Sequence, residues 1–82
     1  MLTTGNQLKA ARALAGFGQV QLAERATVNV NTIRNMESKG AGLLNSGAKV
    51  VRKVQLALEA AGVEFLNHGR PGVRLKEPVP DA

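Results

Sequence analysis

The interior of this chain has to be built almost without aromatic side chains, because Phe17 and Phe65 are its only aromatic residues. Of the 82 residues, 44% are hydrophobic, which is enough for one core and therefore for one small domain. That core must come mainly from alanine, valine and leucine, whose small and medium side chains favour close-packed helices. The first prediction is therefore a mainly α fold.

Composition also argues against several kinds of site. The chain has no cysteine and a single histidine, His68, so we expect no disulfide, no metal site and no cofactor. The carboxylates form no convincing acid–base pair along the sequence, so we do not expect an enzyme. No apolar run is long enough to span a membrane and no secretory signal is recognisable, which predicts a cytoplasmic protein.

Net charge gives the first positive indication about partners. Eleven Lys and Arg residues against six Asp and Glu residues give a formal net charge of +5. A basic chain this small meets nucleic acid more often than an acidic protein. Ordinary solvated surface is the alternative account of part of the excess.

Helical periodicity covers most of the chain before Gly62. Apolar residues recur at three- and four-residue steps in the segments 4–16, 19–26, 29–37 and 47–61. The first segment opens with a capping box, in which the Thr4 hydroxyl accepts from the Gln7 amide and the Gln7 side chain reaches back to Thr4. Gly16 and Gly62 end the first and fourth segments. Four helices are predicted.

The chain changes character after Gly62. Residues 63–66 and 73–76 alternate apolar and polar side chains around a segment rich in turn formers, a pattern typical of a β-hairpin. His68 is predicted to be exposed in the turn. Residues 77–82 contain two prolines and little to bury, which favours a flexible tail.

One stretch resembles a known family motif. Residues 17–37 are similar to the pattern L-S-Q-x-x-L-A-x-x-x-G-V-S-x-x-T-I-x-x-x-E of the phage lambda repressor and Cro-like, or Xre-type, DNA-binding domains. The matching positions are Gln19, Leu22, Ala23, Val28, Thr32, Ile33 and Glu37, with Phe17 a conservative change. The resemblance implies a complete four-helix, lambda-repressor-like helix-turn-helix domain over residues 1–62, with the motif at 19–37, and the C-terminal β-hairpin predicted from alternation follows it at 63–76.

Two residues depart from the family pattern. Thr27 stands where family members usually carry glycine, because the backbone of the turn needs a positive φ. Either Thr27 adopts that conformation at a cost on the order of 1 kcal/mol or more, or the turn takes a different path. Gly18 replaces the usual Ser or Thr N-cap, which is a weaker but tolerated choice.

The resemblance implies a DNA-binding surface on the third helix, whose N-terminal residues reach base edges in helix-turn-helix complexes. The expected base contacts are Val30, Asn31, Arg34 and Asn35. The expected phosphate contacts are Gln19, Asn29, Thr32, Lys39, Asn45 and Ser46. For the base contacts the alternative is a contact with phosphate or solvent alone, and for Gln19 it is a bracing role within the protein.

Residue chemistry sharpens these expectations. An asparagine amide can pair bidentately with adenine and an arginine guanidinium with guanine, so these partners are expected for Asn31 and Arg34. Val30 is expected to touch a thymine methyl. In this family the acid at the position of Glu37 tends to tie the motif to a neighbouring helix, so Glu37 is expected to be structural.

Family members usually bind DNA as two-fold dimers, so the resemblance also implies a homodimer on an inverted-repeat operator. The expected dimerisation element is the hairpin, through Val63, Phe65, Val73 and Leu75. The alternatives are that the hairpin packs against its own fourth helix and that the fourth helix forms the interface.

The function implied by the resemblance is sequence-specific binding of double-stranded DNA by a bacterial or phage-encoded transcriptional regulator. A repressor of a phage, mobile-element or restriction-modification system, acting on its own gene, is the leading interpretation, with an antagonist protein as a further candidate partner. The alternative is an antitoxin-like protein-interaction module of a toxin–antitoxin pair.

Overall fold

A computed structural model describes residues 1–67 and 69–76, which form four α-helices followed by two β-strands. The elements are α1 (Gly5–Ala15), α2 (Gln19–Ala26), α3 (Val30–Glu37), α4 (Ala48–Ala60), β1 (Val63–Leu66) and β2 (Gly72–Leu75). The predicted mainly α architecture with a C-terminal hairpin is confirmed, and each helix ends within about one residue of its predicted limits. The predictions of an exposed His68 and a flexible tail at 77–82 lie outside the described residues.

The ends of α1 follow from local sequence. The Thr4 hydroxyl accepts from the Gln7 N–H at 3.1 Å, as predicted. The other half of the capping box differs, because Gln7 Oε1 accepts from the N–H of Thr3 at 2.7 Å. In this extended segment, which is bridged to Leu43, it is Thr3 that faces the Gln7 carboxamide. Gly16 ends the helix in the left-handed conformation, with φ at 78°.

The core joins all four helices to the first strand. Its largest fully buried side chains are Leu8, Leu22, Ile33, Met36, Val54, Leu58 and Val63. Both phenylalanines lie at the edge of this cluster and are only partly buried. Burial of each side chain of this size contributes about 1.5–3 kcal/mol to the stability of the fold. The interior is aliphatic, as the composition requires.

The start of α1 lies directly against the backbone at the end of α3. A Cβ atom on Gly5 would lie 2.6 Å from the carbonyl oxygen of Met36 and 2.8 Å from the amide nitrogen of Gly40. The N–H of Asn6 donates to the carbonyl of Gly40 at 2.7 Å. Only glycine allows this approach, which holds the end of α3 in place against α1.

The hairpin packs against its own chain. Its strands pair antiparallel, with Val63 opposite Leu75 and Phe65 opposite Val73. Val63 is 1% exposed within the core, and Phe65 and Val73 pack against the core cluster. The hairpin contacts α1 as well as α4, and the Gln7 side chain donates to the carbonyl of Gly72 at 3.1 Å.

This packing corrects the predicted role of Val63, whereas dimerisation through the hairpin stays a prediction. Val63 is a core residue of its own protomer and does not offer its side chain to a second copy of the chain. Of the four predicted dimerisation residues, only Leu75 is exposed, at 37%. The helices of residues 1–62 share their core with the hairpin, and their folding as a complete domain without it stays a prediction.

The solvent side of the hairpin carries one cross-strand ion pair. Arg74 Nε donates to Glu64 Oε1 at 2.9 Å, which lowers the pKa of Glu64 below its usual value and raises the pKa of Arg74. Since the pKa of Glu64 is lowered in the folded state, the pair stabilises the fold at neutral pH. Its contribution is lost as the pH falls through that lowered pKa.

The helices are all short. The longest, α4, has 13 residues. Within residues 1–67 and 69–76, no helix has both the length and the apolar character needed to cross a membrane.

Candidate nucleic-acid interface

The turn between α2 and α3 resolves the question raised by Thr27. Thr27 adopts the left-handed conformation itself, with φ at 58° and ψ at 49°. Across the described ranges, it is the only residue other than glycine with a positive φ. Its N–H donates to the carbonyl of Glu24 at 3.2 Å, and the N–H of Val28 donates to that of Ala23 at 3.0 Å. The turn is therefore closed by backbone hydrogen bonds although a β-branched residue occupies it.

Replacing Thr27 by glycine is expected to raise the free energy of unfolding by about 1 kcal/mol. Glycine removes the steric cost of a left-handed β-branched residue, and its greater freedom in the unfolded chain offsets part of the gain. Thr27→Ala is the matched control, because it keeps a Cβ atom and should gain less. Urea denaturation measures both. A Thr27→Gly variant less stable than wild type would show that the threonine side chain stabilises the turn.

The start of α3 is capped as its sequence predicts. The Asn29 side chain accepts from the N–H of Asn31 at 2.8 Å, so its oxygen serves the helix. Asn29 is exposed, and its predicted phosphate contact stays a prediction. The cap starts α3 at Val30, three residues after the left-handed Thr27.

The two faces of α3 differ sharply. Ile33 and Met36 are fully buried in the core, whereas Asn31, Arg34 and Asn35 are exposed. The only acidic residue of α3 is Glu37, which is 3% exposed, so the exposed face carries no carboxylate. This face is polar and cationic, which suits a polyanion.

The other predicted DNA contacts differ in their exposure. Val30 is half-buried and packs against the core cluster, and Thr32 is also half-buried. Lys39 and Asn45 are exposed in the loop between α3 and α4, and Ser46 is half-buried there. Lys39 lies two residues beyond the end of α3, in a turn closed by the Gly42 N–H donating to the Lys39 carbonyl at 2.8 Å.

A buried ion pair joins α3 to α1. Arg12 donates to the Glu37 carboxylate through Nε at 2.6 Å and through Nη2 at 3.1 Å. The Arg12 guanidinium also donates to the carbonyl of Phe17 at 3.1 Å. The Glu37 side chain is 4% exposed and that of Arg12 is 23% exposed. The prediction that Glu37 ties the motif to a neighbouring helix is confirmed.

Gln19 carries this network to the surface. Its Nε2 donates to Glu37 Oε1 at 3.0 Å, and its Oε1 accepts from Arg34 Nε at 3.4 Å. Arg34 Nη1 in turn donates to Asn31 Oδ1 at 3.2 Å. Gln19, Asn31 and Arg34, here called the Arg34 cluster, thus form one hydrogen-bonded group.

Sequence reasoning named all three members of the Arg34 cluster but missed their connection. The pairing of Asn31 with Arg34 could have been found, because residues three apart share a helix face. The link from Gln19 to Arg34 joins two helices, and no sequence spacing predicts it. Among the described side chains, no hydrogen bond joins Lys39, Asn45 or Ser46 to the cluster.

Nothing in the described ranges gathers three or more His, Cys, Asp or Glu side chains where a metal ion could bind.

Arg25, on α2, lies over the ring of Phe17 with its guanidinium carbon 4.8 Å from the ring centre, a cation–π contact that braces the start of α2. The polar surface of α3 is therefore the candidate site.

Comparisons with known proteins do not assign the chain to a family. No protein-family model matches it, and neither does any curated protein. The functional interpretation therefore depends on the quoted motif residues and on the geometry of α2, the turn and α3.

Proposed function

We propose that this protein is a sequence-specific regulator that binds double-stranded DNA through a lambda-repressor-like helix-turn-helix domain. The observation that carries the proposal is the exposed face of α3, on which Asn31, Arg34 and Asn35 stand without an exposed carboxylate. Asparagine and arginine are residue types suited to contact base edges in the major groove, which admits an α-helix. The tight turn from α2 supports the same interpretation, since it sets one short helix rigidly against another.

Contacts to the DNA backbone fit the start of α2. Gly18 has no side chain to cap the helix. The Gln21 side chain accepts from the Gly18 N–H at 3.2 Å, and this N–H lies before the first amides of α2. The first amides of α2 are therefore open to a phosphate oxygen, which the helix dipole also favours. Lys39, exposed just after α3, is the nearest cation along the chain to hold the backbone beyond the recognition helix.

A homodimer is part of the proposal, because one domain of this size contacts too few base pairs for useful specificity. The candidate contact between the two copies is the outer edge of β2 in the hairpin. The N–H of Lys76 donates to the Gly62 carbonyl at 2.7 Å, so these residues form a hydrogen-bonded pair. Hydrogen-bonded and non-hydrogen-bonded pairs alternate along an antiparallel ladder, so the backbone groups of Val73 and Leu75 point away from β1. The second copy is expected to pair along this edge and to cover Leu75. A monomer in sedimentation at concentrations that saturate operator DNA would contradict this assembly.

Selection of bound duplexes from a random pool tests the proposed function. We expect enrichment of an inverted repeat whose half-site centres lie about 10 base pairs apart or a multiple of that. Arg34→Ala should weaken binding to the selected duplex by about 1–3 kcal/mol and affect random DNA less. Lys39→Ala is the comparison variant, since a phosphate contact should weaken all duplexes alike and reduce the salt dependence.

The contrary outcomes are equally specific. Equal loss on selected and random duplexes for Arg34→Ala would remove the base contact. Failure to enrich any duplex would favour the antitoxin-like protein-interaction module, which needs no operator of its own.

A further inference from the structure

The Arg34 cluster presents hydrogen-bond donors beyond α3. A guanidinium has five N–H donors, and Arg34 uses one at Nε for Gln19 Oε1 and one at Nη1 for Asn31 Oδ1. Three donors of Arg34 and both hydrogens of Asn31 Nδ2 remain for a ligand. The amide oxygens of Gln19 and Asn31, which are the acceptors of the cluster, both accept from the guanidinium.

The orientation of both amides is set by their partners. Glu37 accepts hydrogen bonds only, and it is held by Arg12, so Gln19 must turn its nitrogen toward Glu37 at 3.0 Å. The Gln19 oxygen then faces Arg34. A guanidinium donates only, so Asn31 must likewise turn its oxygen toward Arg34. The buried ion pair thus sets the orientation of Gln19, and Arg34 sets that of Asn31.

We propose that the Arg34 cluster recognises guanine in the major groove, with Asn31 acting as a donor beside Arg34. The inference rests on the proposed function and specifies the base it selects. Guanine offers two acceptors on its major-groove edge, N7 and O6, which match a cluster of donors. Adenine offers N7 and the N6 donor, and bidentate pairing with it requires an amide oxygen that Arg34 already engages. Residue type alone led to the opposite expectation for Asn31, an adenine contact.

Base analogues in the selected duplex test this inference. The guanine to be replaced is the one whose enrichment depends on both Arg34 and Asn31 in selections with the alanine variants. Changing it to adenine should weaken binding about tenfold or more. 7-Deazaguanine, which lacks the N7 acceptor, should also weaken binding, whereas inosine keeps N7 and O6 and should bind like guanine.

The protein variants add a second readout. Arg34→Ala frees the Asn31 oxygen, so the preference at this position should move from guanine toward adenine. Arg34 and Asn31 are exposed, so circular dichroism and thermal unfolding of their alanine variants should match wild type.

Each contrary result has a distinct meaning. Wild-type selection of adenine at a position that Asn31→Ala relaxes would overturn the inference and leave the proposed function standing. So would an Arg34→Ala variant that loses one guanine while the Asn31 position keeps its wild-type preference. If no duplex is enriched, the proposed function fails and this inference fails with it.

Discussion

Replacing Glu37 by alanine is expected to lower the free energy of unfolding by about 3–5 kcal/mol. The Glu37 side chain is 4% exposed and accepts from Arg12 at 2.6 Å and from Gln19 at 3.0 Å. Its loss leaves the largely buried Arg12 guanidinium without its counter-charge and removes the ion pair that links α3 to α1. Urea denaturation followed by circular dichroism measures the change.

The ion pair of the hairpin is the matched control. Glu64 and Arg74 lie at a similar distance, 2.9 Å, but their side chains are 35% and 63% exposed. Solvent screens such a pair, so Glu64→Ala should change stability little. The double variant Arg12→Ala/Glu37→Ala should be more stable than the sum of the single losses predicts, because no unpaired buried charge remains. Equal losses for Glu37→Ala and Glu64→Ala would show that burial of the first pair does not matter.

Ending the chain at Gly62 is expected to remove most of its folded stability. The deletion takes away Val63, which is 1% exposed in the core, and also Phe65 and Val73, which pack against that core. It also removes the Gly72 carbonyl that accepts from the Gln7 side chain at 3.1 Å. A small domain has a free energy of unfolding of only about 5–15 kcal/mol, so losses of this kind leave it largely unfolded. Helical circular dichroism and its thermal transition measure the effect.

A second truncation serves as the control for the first. Ending the chain after Lys76 keeps every described core contact, so its thermal transition should match that of the full chain. If residues 1–62 alone melted cooperatively near the temperature of the full chain, the helices would form a complete domain, as the sequence suggested.

Local signals account for the success of the helix predictions. Thr4, Gly16 and Asn29 act on backbone groups within a few residues of themselves, so their effects can be worked out from spacing alone. The alternation in residues 63–66 and 73–76 predicted strands for the same reason. It also predicted an apolar face, but periodicity does not say which surface covers that face.

Only the tertiary structure decided the contacts between distant segments. Sequence determined that Thr27 sits in the turn, but whether it would accept a left-handed backbone depended on how α2 and α3 pack. Val63 became a core residue because α1 and α4 leave space for it. Glu37 orients Gln19, and Gln19 faces Arg34, only because α2 and α3 pack so that these side chains come within hydrogen-bond distance. Capping and periodicity act within one element, whereas burial and amide orientation depend on neighbours that spacing cannot name.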